Sequence, residues 1–147
     1  MKTLLRLLVG LSLAACVASA HAELSPVSFV VGKQQFKPGD SIVIDQVLAT
    51  SPKLEVGAKV VVRGHYRLAS AAKARLGLFV THHAKAGADP YAPSQMAPVE
   101  GANGSFELSC EITYEGDPHV SFYPAPNGES FGGVYFSAAA NRPAGRS

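Results

Sequence analysis

His65, His82, His83 and His119 are the imidazoles of this chain beyond residue 22. Three imidazoles are enough to hold Zn or Cu, and the set that could do so is His82, His83 and His119. Their spacing works against it. Adjacent residues on a strand project to opposite faces, and neither a His-x-His pair nor a cysteine pair accompanies them. The three converge only if a strand ends at Thr81 and His82 and His83 project from a loop to meet His119; otherwise they are solvated or rim histidines. Tyr91, Tyr123 and Tyr135 could stack on a sugar ring. Cross-strand packing is the preferred reading for these rings, and the chain has no Trp, the largest stacking ring available. Arg63 and Arg67 flank His65 at two-residue spacing, with Lys73 and Arg75 following, a column that could hold carboxylate or phosphate. Glu107 and Glu111 repeat the same spacing, so cross-strand Arg to Glu pairing into a solvated surface is expected instead. Cys110 lies mid-strand among apolar residues with no neighbouring cation, which describes a small buried hydrophobe rather than a nucleophile.

Catalytic motifs of useful specificity are missing from the sequence. It has no Gly-x-Ser-x-Gly elbow, Gly-rich phosphate loop or His-Glu-x-x-His. Asp117 and His119 flank Pro118 in a Gly-Asp-Pro turn, as a tight connection requires. The expectation is a protein that is not an enzyme and uses no cofactor.

The elements that must position these side chains read as strands separated by punctuation. "SIVIDQVLAT" (41–50) follows Lys37-Pro38-Gly39-Asp40, whose Pro-Gly centre suits a type II turn. In "AKVVVRGHYRLAS" (58–70), Val60, Val62, Gly64, Tyr66 and Leu68 share a face. "ARLGLFVTHH" (74–83) turns Leu76, Leu78 and Val80 inward, and "GSFELSCEITYEG" aligns Phe106, Leu108, Cys110, Ile112 and Tyr114. This is the two-residue period of half-buried antiparallel strands. "PVSFVV" near the start and "HVSFYP" and "GGVYFS" near the end bring the total to about seven strands, with no convincing helix after residue 22. The last two form a hairpin around Asn127-Gly128. Its phenylalanines point to the core and its tyrosines outward, and Gly132-Gly133 permits a bulge or a close backbone approach. The fold class is therefore all-β: one antiparallel β-sandwich of immunoglobulin-like architecture, without the Cys and Trp signature of true immunoglobulin domains. The longest irregular stretch, Ala84 to Gly104, reads as a binding loop or a surface insertion.

Lys2 and Arg6, the apolar run Leu7 to Ala15 and the small residues after it have the order of a secretory signal. Cleavage after Ala22, at Ala20-His21-Ala22, is the preferred reading and makes residues 1–22 a signal peptide. Leu13-Ala14-Ala15-Cys16 resembles a bacterial lipobox, in which case the signal is 1–15 and Cys16 carries lipid. Either way Cys110 has no disulfide partner, and residues 23–138 form one domain followed by a tail at 139–147. Removing Lys2 and Arg6 lowers Lys plus Arg from 13 to 11 against 11 Asp plus Glu, a formally neutral domain with no footprint for nucleic acid. These observations describe an exported bacterial module, periplasmic or extracellular, touching membrane only through lipid at Cys16. The expected role is non-catalytic, as a protein-interaction or accessory domain of the envelope with a partner the sequence does not identify. The alternative is a small-ligand binder, for metal through the histidines or sugar through the tyrosines.

Overall fold

The computed structural model describes residues 22–82 and 91–145. Among these residues nine strands follow one another, two more than the seven expected: β1 (Ser25–Pro26), β2 (Phe29–Gln35), β3 (Ser41–Ala49), β4 (Lys59–Arg67), β5 (Lys73–His82), β6 (Met96–Glu100), β7 (Asn103–Glu111), β8 (Gly116–Pro124) and β9 (Gly132–Ala138). Two single 3-10 turns, Pro93–Gln95 and Ala139–Asn141, are the helical structure among the described residues. The strands form two antiparallel sheets, β1-β3-β4-β7 and β2-β9-β8-β5-β6, packed as a sandwich around one core.

Alternation builds that core as the pattern predicts. Val60, Val62, Tyr66 and Leu68 from the first sheet meet Leu76, Leu78, Val120, Phe122 and Phe136 from the second, all buried. Cross-strand spacing alone fixes this arrangement, because a one-residue slip would turn every apolar side chain to water. Phe122 is the centre of an aromatic group: Phe36 and Tyr66 approach it edge-on and Phe131 stacks on it at 5.7 Å. Cys110 lies in this core, and burial pushes its thiol up to about 11.

The turn before β3 is the one Pro38-Gly39 requires. Gly39 has φ 84°, a left-handed value, and Asp40 N–H donates to Lys37 O at 3.0 Å. Asp40 then ties this turn to the β4–β5 connection. Its buried carboxylate accepts from the amides of Ala69 and Ser70 at 2.8 and 2.9 Å and from the Ser70 hydroxyl at 2.5 Å. Burial alone would raise the Asp40 carboxyl; these hydrogen bonds, with Lys37 nearby, outweigh it and hold the carboxyl below its usual value.

The stretch 84–104 is not irregular throughout. Met96–Glu100 forms β6 against β5, Val99 is 1% exposed, and β7 already begins at Asn103. Pro98 and the alanines hid this strand. An edge strand tolerates a proline, because only one of its sides must donate to the ladder. The first residues of the expected tail are also tied down: Ala139 N–H donates to Ser28 O, and Asn141 Nδ2 donates to Lys53 O at 2.6 Å.

Candidate functional site

The two outer faces of the sandwich carry different chemistry. On the four-stranded sheet, Arg63 lies opposite Glu107 in register, and its Nε–H donates to Glu107 Oε2 at 2.6 Å while Nη1 donates to Gln46. His65 Nδ1 lies 2.8 Å from Asp45 Oδ2. Arg67 stands at the end of this solvated column, opposite Asn103. Lys73 and Arg75 do not extend it, since they lie on β5 in the other sheet, where Arg75 Nε donates to Pro124 O. The expected Arg to Glu pairing is present between Arg63 and Glu107, whereas Glu111 lies opposite Lys59 and Arg67 opposite Asn103.

The five-stranded sheet presents rings instead. Leu76, Leu78, Val120 and Phe122 point inward, so Phe79, Thr81, His119, Ser121, Tyr123 and Tyr135 point outward by alternation. His119 faces Phe79 on one side and Tyr135 on the other. Phe79 meets Tyr91 at 5.4 Å and Tyr123 at 5.5 Å, both edge-to-face, and His119 tilts against Tyr135 at 4.9 Å. The Tyr135 hydroxyl lies 3.1 Å from Thr81 Oγ1. The three tyrosines singled out from the sequence are thus gathered on one face, and Phe79 joins them. Phe79 was legible only indirectly: once Leu76, Leu78 and Val80 point inward, residue 79 must point outward.

Small residues run between the rings. Gln35, Gly133, Ser121, Gly77 and Met96 stand side by side across five strands. At Gly77 the trough is filled, since a Cβ there would collide with the Phe79 ring, with Met96 Sδ at 2.7 Å and with Tyr123 Cε2 at 2.9 Å. Burial under these rings pushes the Tyr123 phenol up to about 12. At Gly133 the Ser121 side chain lies above the backbone, and any Cβ would strike its hydroxyl and approach Val120 O at 2.8 Å. The trough stays open at this end as a cleft of about 330 Å³. Ser121, Gly132 and Gly133 form its floor, His119 and Tyr135 one wall, Ser130 and Phe131 the other, and Lys33 and Gln35 its rim on β2.

His119 sits at this floor with Nδ1 2.8 Å from Ser121 Oγ. Burial disfavours the imidazolium and lowers the His119 pKa to about 4. A serine beside a histidine is the start of a nucleophile and base pair, but an imidazole of such low basicity accepts a proton poorly at neutral pH, and Ser121 is 5% exposed. The pair acts as a buried hydrogen bond that fixes the ring.

The metal set does not assemble from the described members. His82 faces Gly116 three residues along β5 from Phe79, which puts its side chain on the opposite face of the sheet from His119, and there it stacks on Tyr114 at 4.4 Å. His83 lies outside the described residues, as does Cys16. Among the described residues no three His, Cys, Asp or Glu side chains form a metal-holding group, and no helix is long and apolar enough to cross a membrane. No protein-family model, curated protein or solved structure matches this chain.

Proposed function

We propose that this chain is an exported, non-catalytic β-sandwich module of the bacterial envelope or extracellular space, and that it works by protein contact through the outer face of its five-stranded sheet. The observation that carries this reading is the division between the faces. Charged and polar side chains pair with one another on the four-stranded sheet, while Phe79, Tyr91, Tyr123 and Tyr135 collect on the other. Interface cores are enriched in aromatic residues and depleted of lysine and acids, because rings bury large area at little conformational loss. Tyr91 is half exposed, which makes it the ring best placed to meet a partner.

Export is supported by the charged start, apolar run and small-residue ending of residues 1–22, with lipidation at Cys16 as the route to a membrane face. The immunoglobulin-like architecture is supported by the five-stranded sheet, in which the last two strands lie between β2 and β5. The β3–β4 hairpin departs from that pattern, because it stays within one sheet where an immunoglobulin chain would cross over. A second reading, a small-ligand binder, is favoured by the cleft at Gly133.

The test is co-purification from envelope and culture fractions of the native host. Tyr91→Ala should weaken recovery of a partner that Arg63→Ala leaves unchanged, with both variants folded by circular dichroism. Equal recovery with Tyr91→Ala, or a loss confined to Arg63→Ala, would remove the aromatic face from the account.

A further inference from the structure

The cleft at the β2 end of the aromatic face has a composition of its own. At about 330 Å³ it sits at the lower end of the ~300–1,000 Å³ typical of small-molecule sites, enough for one compact unit. Its groups are of three kinds. Tyr135 supplies a ring wall. Gln35 and Ser130 supply neutral groups able both to donate and to accept hydrogen bonds, while the Tyr135 hydroxyl is engaged with Thr81. Among the described residues, Lys33 supplies the one formal charge of the lining, at the exposed rim, and no carboxylate lines the cleft.

These features select against several ligands. A metal ion would find a single imidazole, already engaged with Ser121. A phosphate would find one ammonium and neither a guanidinium fork nor a helix N-terminus. An apolar ligand would strip water from Lys33, Gln35 and Ser130 without replacing it. The remaining chemistry is a ring with an apolar face, hydroxyls around its edge and one negative charge. The second face of Phe131 is not available to it, since Phe122 stacks on this ring and Lys37 lies 5.0 Å from its centroid.

We propose that this cleft seats one acidic sugar unit, a pyranose bearing a carboxylate, with Lys33 meeting the carboxylate, Tyr135 against the ring face, and Gln35 and Ser130 on its hydroxyls. The inference rests on reading this face as the working surface and adds a ligand class to it. The ligand would be a uronate residue of an acidic glycan, a polymer that an exported module can encounter outside the cytoplasm.

The test is a heteronuclear NMR titration of the protein produced from the full chain, with methyl β-D-glucuronide, methyl β-D-glucoside and acetate as probes. The glucuronide should shift the amides of Lys33, Gln35 and Ser130 to Gly133 and bind about tenfold more tightly than the glucoside, the difference expected of one charge-assisted hydrogen bond. Lys33→Ala, on an exposed edge strand, should reduce glucuronide affinity to that of the glucoside, and Ser130→Phe, which fills the mouth, should abolish both. Absence of shifts at these amides would overturn the proposal. Equal affinity for the two glycosides, or acetate reproducing the glucuronide pattern, would overturn the acidic-sugar assignment. Failure here with partner contact at Tyr91 intact removes the ligand alone, whereas loss of both removes the reading of the face.

Discussion

His119 should make the folded protein sensitive to mild acid, and the size of the effect follows from its place in the sheet. Its ring is packed between Phe79 and Tyr135 and hydrogen-bonded to Ser121, with Thr81 and Asp117 on the same face and Lys33 at the rim of the cleft. Burial lowers its pKa from 6.5 to about 4. Between these values the unfolded chain binds a proton that the folded chain refuses, so stability falls as pH falls from about 6.5 to about 4 and is fully retained above that window. The full difference is about 3 kcal/mol, of which about 2 kcal/mol develops between pH 7 and pH 5. His119→Asn places an amide near the position of Nδ1, keeps a partner for Ser121 and carries no proton equilibrium in this range. Urea unfolding at pH 7, 6 and 5 should show the wild type losing about 2 kcal/mol more than this variant, at unchanged m-value. If the two proteins lose stability in parallel across that range, the imidazole is not held neutral by its surroundings and the packing argument fails.

Three further outcomes follow from the same structure. Asp40→Ala should destabilise by about 2 to 4 kcal/mol in denaturant unfolding, because two amides and a hydroxyl lose a charged acceptor. The Asp40 contribution is complete above about pH 4 and fades as pH falls through the lowered folded value, a window below that of His119. A double-mutant cycle on Arg63→Ala and Glu107→Ala should give a coupling below about 1 kcal/mol, since both side chains stand in solvent. Cys110 should stay unreactive toward a disulfide reagent at pH 8 in the native protein and titrate as one thiol on unfolding, because burial keeps the thiolate scarce.

The strands of this protein are readable because the code for a half-buried strand is local: two residues apart, same face. Val60 to Leu68 and Phe106 to Ile112 carry it without interruption, and each of those inward positions except Gly64 is a buried side chain of the core. β6 escaped because Met96-Ala97-Pro98-Val99-Glu100 contains one strong strand former and a proline, and only its position on an edge makes that sequence acceptable. The outward direction of Tyr123 and Tyr135 was legible from their neighbours Phe122 and Phe136. The cleft was not. It depends on Gln35, Gly133 and Ser121 falling in one row across three strands, a matter of register set by the β2 bulge and the β8–β9 hairpin. Gly132-Gly133 did announce a close approach, which turned out to be that of the Ser121 hydroxyl. Lys73 and Arg75 were assigned to the wrong neighbours for a similar reason, since nothing local tells that the chain changes sheets between Arg67 and Lys73.

If the two faces have the separate roles proposed, site-specific photocross-linking in the native host will distinguish them. A photoreactive phenylalanine analogue at residue 91 would sit on the aromatic face, and one at residue 43, where Val43 is 43% exposed opposite His65, would sit on the charged face. A discrete adduct is expected from position 91, lost when Tyr135→Ala is added, and none from position 43. Adducts from position 43 alone, or in equal yield from both, would contradict the proposed division of roles.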